Sequence, residues 1–532
     1  MLTPTLLLLL QQANPLAVVD DHIRDEVNVL HYDIAVALPD RGSHIIGATT
    51  IRYLPRRANE ALHLDFDAAF TIDSIVTMTR RLTSSAWTAD GEALEIRQWG
   101  SADDTLSVTI HYQGSPENGL FIQDNVHGER TAFADNWPNR AHHWFPSVDH
   151  PSDKATAGFR VEAPRGWTVV ANGDLIRVDT LASGRTEWRW LEQRRIPTYT
   201  MVIGAGPLTV ADIGPVNGVK HQLWTFPQDS AFAHDGPFAR ANLIVETLAQ
   251  FFGPFPYNKL AHVESSTRFG GMENSSAIFY TERGYESRRM GEGLVVHETA
   301  HQWFGDAATA YDWHHVWLSE GYATYLTALF YELTGEPERF ASSMESSKAR
   351  YMQSDDVHRP VIDTAEKDPF GVLNRNSYQK GSLILHMLRM TVDDSVFFAS
   401  MREYYETFRD STAMSADLAR VVSENAGEDL SWFFEQWLLQ PGYPQLTADW
   451  DYGDGMLTID VQQTQQAEWG TYRLNLPVVV ETATGERRTV MIDMRDRSVV
   501  QRFTEFGAEP SAVTIDPDGL LLAEITQTPE RR

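Results

Sequence analysis

The chain has 532 residues, a length that predicts about three domains. Hydrophobic residues make up 42% and aromatic residues 11%, which excludes a disordered, collagen-like or low-complexity protein. A net charge of -29 argues against nucleic acid as a partner, because an acidic surface repels phosphate. Cysteine is absent, so disulfides, thiol nucleophiles and cysteine-bound metals are excluded, and any metal must be bound by His, Asp or Glu.

The N-terminal segment contains five consecutive leucines at 6–10, followed by the small residues Ala13 and Ala17. An apolar run before small residues is typical of an export signal, although the usual basic start is missing. We therefore expect residues 1–19 to be signal-like and the protein to be periplasmic or extracellular. A frayed terminus on a cytoplasmic protein is the alternative. No later segment has the roughly 18–20 apolar residues that a membrane helix needs, so no membrane insertion is expected.

Hydrophobic periodicity changes twice along the chain. Residues 20–212 alternate apolar and polar positions, which predicts an all-β domain, a large sandwich. Residues 213–445 are mostly helical, and residues 446–532 return to alternation, which predicts a small β-sandwich. The expected fold class is therefore multidomain α+β. The predicted helices cover residues 238–252, 290–304, 318–334, 338–353, 376–392, 395–409, 415–425 and 430–439.

The motif that indicates chemistry is His-Glu-Thr-Ala-His at 297–301, within a predicted buried helix. His297 and His301 are four residues apart and share one helix face, so both rings can reach one metal ion. Glu298 lies beside them, where it can polarise a metal-bound water. A catalytic zinc ion needs a third protein ligand and one open position. Glu320, at the start of the next predicted helix, is the candidate third ligand.

Four further segments carry a family resemblance. They are Phe-Phe-Gly-Pro-Phe-Pro-Tyr at 251–257, Gly-Gly-Met-Glu-Asn at 270–274, Tyr-Gln-Lys-Gly at 378–381 and Gln-Pro-Gly-Tyr-Pro at 440–444. With the histidine motif, they resemble the gluzincin zinc aminopeptidases typified by aminopeptidase N and leukotriene hydrolase. The resemblance implies a thermolysin-like catalytic domain between the two β domains. It also implies a short form that lacks the helical fourth domain of larger members.

The resemblance implies a role for each matching residue. His297, His301 and Glu320 would bind one Zn²⁺ per chain, and Glu298 would be the general base. Tyr378 would donate a hydrogen bond to the developing oxyanion. The substrate would be a peptide with a free N-terminal amine, and its α-ammonium group would bind the carboxylate of Glu273. The substrate-binding edge strand would consist of Gly270, Gly271, Met272, Glu273 and Asn274.

One position departs from the family pattern. Many members have a Gln or Glu in the β domain that makes a second contact to the substrate amine, and here Trp137 aligns with it. The neighbouring Asp135 and Asn136 are candidates to replace that contact.

Other histidines are interpreted as structural. His314 and His315 lie between the two predicted metal-binding helices. We expect them in a loop or in contact with the metal ligands, and not as ligands themselves. His142 and His143 fall in a stretch that resembles a structural segment of the family.

Three alternative functions are open at this stage. A thermolysin-type zinc endopeptidase also uses this histidine motif and a later glutamate, but it has no use for an amine acceptor at Glu273. An epoxide hydrolase would need an acid before Tyr378, and Phe370 falls at that spacing, with Asp368 nearby. A catalytically inactive scaffold of the same fold is disfavoured because all three ligands and Glu298 are present. First-residue preference and oligomeric state are not predicted.

Overall fold

The computed structural model describes residues 14–19, 26–58, 60–97, 100–102, 104–482 and 485–527. The leucine run of the predicted export signal lies outside these residues. The chain forms two compact units: one extends to Ser319 and includes Arg402–Met414, and the other comprises Glu320–Met401 and the chain from Ser415 onward. The three-domain division with boundaries at 212 and 446 stays a prediction.

The first unit is rich in strands. These are β1 (Val27–Ala37), β2 (Ile45–Pro55), β3 (Leu62–Asp65), β4 (Thr71–Thr77), β5 (Trp87–Asp90), β6 (Ala93–Ile96), β7 (Leu106–Gly114), β8 (Leu120–Asp124), β9 (Arg130–Ala134), β10 (Lys154–Ala163), β11 (Thr168–Ala171), β12 (Asp174–Thr180), β13 (Thr186–Pro197), β14 (Ile203–Gly206), β15 (Thr209–Asp212), β16 (Lys220–Thr225), β17 (Lys259–Ser265), β18 (Gly271–Met272), β19 (Ala277–Thr281), β20 (Ala308–Ala310) and β21 (Ser411–Ala413).

The N-terminal strands form three of the sheets. A seven-stranded sheet has the order β12-β13-β10-β1-β2-β7-β4, and smaller sheets have the orders β11-β14-β9-β8 and β3-β6-β5. Burial along β2 alternates so that Ile45, Ile51 and Tyr53 face the core, as the apolar alternation of the sequence predicts. Strand β1 pairs parallel with β10 and antiparallel with β2.

The first unit also contains a five-stranded sheet, a two-stranded sheet of β20 and β21, and four helices. The five-stranded sheet has the order β15-β16-β17-β19-β18, and every residue of β17 is buried. A strand buried on both faces is expected at the centre of a sheet covered by helices. The helices are α1 (Ser230–Asp235), α2 (Ala241–Phe252), α3 (Glu282–Glu286) and α4 (Glu292–His301). Strand β18, which carries part of the predicted substrate-binding segment, is an edge strand of this sheet.

The second unit combines helices with two sheets. Its helices are α5 (Trp317–Leu333), α6 (Pro337–Met352), α7 (Gly381–Phe408), α8 (Ser415–Ala426) and α9 (Ser431–Leu439), of which α5 begins and α7 ends within the first unit. Its strands are β22 (Gln445–Gly453), β23 (Met456–Gln463), β24 (Leu474–Thr482), β25 (Arg487–Met494), β26 (Ser498–Phe503), β27 (Pro510–Ile515) and β28 (Glu524–Gln527). They form sheets of order β26-β23-β22-β28 and β25-β24-β27.

The long helix α7 replaces two predicted helices. Asp393 interrupts it with a φ of 70°, which lies outside the helical region and falls between the segments predicted at 376–392 and 395–409. The first segment becomes α-helical only at Gly381, because a π-helical turn occupies Asn376–Lys380. No helix in the described ranges combines the length and the apolarity needed to cross a membrane. The fold class is multidomain α+β, as predicted.

Burial of one carboxyl group makes the stability of the first unit depend on pH. Asp153 is 8% exposed; its Oδ1 accepts a hydrogen bond from the Val29 amide, and its Oδ2 has no hydrogen-bond partner in the described chain. Burial raises the pKa of Asp153 to about 7. The stabilisation from its protonated form is therefore complete below the unfolded pKa of about 4 and is lost as the pH rises through about 7.

We expect Asp153→Asn to raise the free energy of unfolding by about 1–3 kcal/mol at pH 8 and to leave it nearly unchanged at pH 4. Urea unfolding at both pH values measures the difference. Asp33→Asn is the matched contrast, since a hydrogen bond from His31 lowers the pKa of Asp33 and the substitution should destabilise slightly at pH 8. A gain for Asp153→Asn of equal size at both pH values would contradict the role of ionisation.

Candidate functional site

The histidine pair lies at the C-terminal end of α4. His297 and His301 are one turn apart, and their Nε2 atoms approach to 3.2 Å. His301 is 1% exposed, and the ring of His297 lies at 84° to it. Two imidazole nitrogens that converge on one point are a suitable pair of donors for a divalent metal ion.

Two partners of Nδ1 fix the orientation of the His301 ring. Its Nδ1 lies 3.2 Å from the carbonyl oxygen of Phe304 and 3.0 Å from the hydroxyl of Ser319. Because a carbonyl oxygen only accepts, Nδ1 must carry the proton in this bond, which leaves the lone pair on Nε2. The sequence did not identify these two partners, which have the orienting role that ligand histidines require.

The predicted substrate-binding segment lies beside α4. In β18, Gly271 pairs with Tyr280 and Met272 pairs with Phe279 of β19, both antiparallel. Since β18 is an edge strand of the sheet, its other side has no strand partner within that sheet. The backbone of this strand can therefore accept an additional strand.

Two carboxylates meet at the histidine pair. Glu273 and Glu298 are 6% and 5% exposed, and one ligand atom from each lies within 4.8 Å of the other and of His301. Residue 271 must be glycine for this arrangement, because a Cβ there would collide with the carboxylate of Glu298. The structure thus brings together the predicted base and the predicted amine acceptor.

Gln302, which the sequence interpretation did not include, connects α4 to the segment at 270–276. Its Nε2 donates to the carbonyl oxygen of Glu273 at 2.6 Å and to Oδ2 of Asp306 at 2.8 Å, and its Oε1 accepts from the Ser276 amide at 2.8 Å. The side chain is fully buried. An amide directly after the histidine motif was the available indication, but Glu273 and Ser276 lie 29 and 26 positions away in the sequence. Burial raises the pKa of Asp306, and the charge of Glu273 acts in the same direction.

The remaining residues of the segment have backbone roles in the structure. The carbonyl oxygen of Gly270 accepts from the Thr281 amide, and that of Asn274 accepts from the Ala277 amide. Asn274 is completely buried, and its side-chain amide makes no hydrogen bond to any described residue.

The second unit brings together the other two predicted site residues. The hydroxyl of Tyr378 donates to Oε1 of Glu320 at 2.8 Å. Tyr378 lies on the π-helical turn, an irregularity that is frequent at functional sites. Two glycines allow the approach, because a Cβ on Gly381 would lie 2.9 Å from the Cα of Gly321. Gly321 directly follows Glu320, and Gly381 directly follows the Tyr-Gln-Lys stretch at 378–380. The backbones of these two glycines are therefore in contact.

The two candidates for the second amine contact, Asp135 and Asn136, both have partners within the protein, and their role toward a substrate stays a prediction. Nδ2 of Asn136 donates to the carbonyl oxygens of Thr198 and Met201, and its Oδ1 accepts from the indole of Trp144. The side-chain amide of Asn136 is therefore hydrogen-bonded within the β region.

The carboxylate of Asp135 also has a partner, because it forms a buried ion pair with Arg140. Trp137 is 3% exposed and packs edge-on against Trp313 and Phe269, with ring centroids 5.2 and 6.4 Å away. An indole cannot replace a carboxylate as an ammonium acceptor, so within the described first unit Glu273 is the carboxylate grouped with Glu298.

His314 and His315 have structural contacts. His314 Nδ1 lies 2.6 Å from Oδ1 of Asp312, and His315 Nε2 lies 2.8 Å from the carbonyl oxygen of Val18. These contacts agree with their interpretation as supporting residues.

Two family models match the sequence. The peptidase M1 N-terminal domain matches residues 28–200, and the peptidase family M1 domain matches residues 239–437. A probable aminopeptidase 1 from Sulfurisphaera tokodaii is 28% identical over 420 residues, which are 76% of this chain and 51% of that protein. Aminopeptidase N from Lactococcus lactis is 28% identical over 327 residues, 57% of this chain and 38% of that protein. The chain thus spans about half the length, or less, of these curated relatives.

Solved structures share the fold. An M1 zinc metallopeptidase from Deinococcus radiodurans matches with a TM-score of 0.70 at 24% identity, over 79% of this chain and 95% of that chain. A mutant of an M1 zinc metallopeptidase from the same organism, bound to a Tyr-ser-ala substrate, matches with a TM-score of 0.69 at 23% identity, over 78% and 95% of the chains. The two family models together cover more than half of the sequence, and the protein belongs to peptidase family M1.

Proposed function

We propose that the protein is a zinc aminopeptidase that removes the first residue of peptides. The observation that carries the proposal is the grouping of Glu273, Glu298 and His301 within 4.8 Å. One carboxylate beside a metal-binding histidine is sufficient for a general base. A second buried carboxylate is useful when the substrate carries a positive charge, as a free α-ammonium group does.

The donor set fits zinc. The Nε2 atoms of His297 and His301 converge, and Glu320 would be the third ligand, which leaves one position for water or substrate. Ser319, whose hydroxyl contacts the ring of His301, directly precedes Glu320 in α5, so the chain supports this assignment. One zinc ion per chain in this place supplies Lewis-acid activation of a water molecule and of the scissile carbonyl group.

The side chains of the site perform the remaining steps. Glu298 takes a proton from the attacking water and returns it to the leaving amine. Glu273 accepts the α-ammonium group, and the strand at 270–274 pairs with the substrate backbone. Tyr378 donates a hydrogen bond to the developing oxyanion. To do so, its hydroxyl gives up the hydrogen bond that it donates to Glu320 in the structure.

The relatives support a peptide substrate. Curated relatives are called aminopeptidases, and a structural neighbour was solved with a bound Tyr-ser-ala substrate. A substrate cut by an endopeptidase has no free α-ammonium group near the cleaved bond for the buried Glu273 to accept. An inactive scaffold would not need to keep the base beside a converging histidine pair.

Replacement of the base tests the chemistry. We expect Glu298→Gln to lower kcat by about 10²–10⁴-fold, because the amide cannot accept the proton, while bound zinc stays at one per chain. Peptide turnover and metal analysis on the same preparation measure both quantities. Glu292→Gln, the same substitution in the first turn of α4, is the control and should retain activity. Retained turnover in Glu298→Gln would contradict its role as base.

Acetylation of the substrate tests the amine site. We expect the wild-type enzyme to cleave peptides with a free amine and to leave their N-acetylated forms uncut. Glu273→Gln should lower kcat/KM for the free peptide by about 10–100-fold, since a charge-assisted hydrogen bond is lost. Glu286→Gln, an exposed position on α3, is the control. Equal cleavage of free and acetylated peptides by the wild type would favour the endopeptidase.

The role of Tyr378 can be separated from support of Glu320. We expect Tyr378→Phe to lower kcat by about 10²–10³-fold with zinc content unchanged, because one oxyanion donor is removed. Zinc content and turnover per bound zinc are measured together. If zinc is lost and the turnover per bound zinc is normal, the hydroxyl serves only to position the carboxylate of Glu320.

A further inference from the structure

A second group of metal-ligating side chains lies in the β region of the first unit. His142 and His143 occupy the short 3₁₀ turn Ala141–His143, and their rings are tilted by 36° with a centroid distance of 4.2 Å. The sequence analysis interpreted both as structural, and the proposed peptidase chemistry does not use them.

A carboxylate orients each ring through Nδ1. His142 Nδ1 lies 2.8 Å from Oδ2 of Asp149, and His143 Nδ1 lies 2.7 Å from Oδ2 of Asp67. An ionised carboxylate only accepts, so both bonds place a proton on Nδ1 and leave the Nε2 atoms as the available donors to a metal. Carboxylate–histidine pairs of this kind are the usual support of metal-binding histidines.

The two carboxylates are themselves held in place. Asp149 also accepts hydrogen bonds from the His142 amide at 3.0 Å and from the Thr198 hydroxyl at 3.0 Å. Asp67 accepts from the Ala69 amide at 2.8 Å through its other oxygen. The rings are therefore set by a fixed framework, which lowers the entropy lost when a ligand binds.

A third potential ligand faces this pair. Glu92 lies in the turn between β5 and β6, and its Oε2 is 3.7 Å from Nε2 of His142. His142 is 5% exposed, and its Nε2 has no hydrogen-bond partner in the described chain. One ligand atom from each of Glu92, His142 and His143 lies within 4.8 Å of the others. A buried ring nitrogen with no hydrogen-bond partner thus faces a carboxylate.

We propose that Glu92, His142 and His143 form a second site for a divalent transition-metal ion of the zinc class, in addition to the proposed peptidase site. Tetrahedral zinc with bonds of about 2.0–2.1 Å places its ligand atoms about 3.3 Å apart. The separation of 3.7 Å is close to this value, and the side chain of Glu92 is 66% exposed, so it can close the difference without disturbing the core. The bound ion connects the β5–β6 turn to the 141–143 turn, and its fourth position is open to water.

Metal counting tests the site. Equilibrium dialysis of the full chain against micromolar Zn²⁺ should give two ions per chain for the wild type and one for Glu92→Ala, His142→Asn and His143→Asn. Asparagine retains a donor at the position of Nδ1 and removes Nε2, so the bonds to Asp149 and Asp67 can persist.

His234→Asn is the matched control, because His234 is also paired with a carboxylate, that of Asp235. This variant should still bind two ions.

Cobalt substitution and thermal unfolding give independent readouts. The second equivalent of Co²⁺ should produce visible absorption that is lost in His143→Asn, and Zn²⁺ should raise Tm by a few degrees more in the wild type than in Glu92→Ala. A Glu92→Ala variant that binds as many ions as the wild-type chain would overturn the proposal. In that case Glu92 and His142 form an ordinary ion pair. Because the side chain of Glu92 is exposed, its variant decides the question even if a histidine variant fails to fold.

Discussion

The close approach of the segment at 270–274 to helix α4 is the constraint on which the site in the first unit depends. Gly271 permits it, since any side chain there would occupy the place of the Glu298 carboxylate. Gln302 then fixes the distance through its bonds to Glu273 and Ser276. The edge strand, the proposed base Glu298 and the proposed amine acceptor Glu273 are thus held together by the missing Cβ of Gly271 and the buried amide of Gln302.

The β region supports this arrangement through a buried lysine. Lys154 of β10 donates to the carbonyl oxygens of Asp306 and Ala307 at 2.8 Å and to the hydroxyl of Thr309 at 2.9 Å. These acceptors lie just after the helix of the two histidines. Burial lowers the pKa of Lys154 to about 7, because the charged form loses its hydration. The N-terminal sheet therefore belongs to the framework of the site.

Local patterns predicted the fold and much of the site. The spacing of His297 and His301 determines their common face once a helix forms, and alternation indicated both β regions. The assignment of Glu273 required the family resemblance, because nothing in its neighbourhood marks it as buried. The partners of Gln302 and of His301 were missed, since they come from segments up to 29 positions away. The hydrogen bonds of Asn136 were missed for the same reason: its acceptors lie 62 and 65 positions along the chain.

The position of β18 at the edge of its sheet has a consequence for what the proposed enzyme can degrade. A chain that adds to this edge must present several residues in an extended conformation, with its own amide and carbonyl groups available. An N-terminus held in a helix or within another sheet has already used those groups. If this strand binds the substrate as proposed, it would discriminate by conformation before any side chain is recognised: native proteins with ordered N-termini would be spared, while unfolded chains and peptide fragments would be accepted.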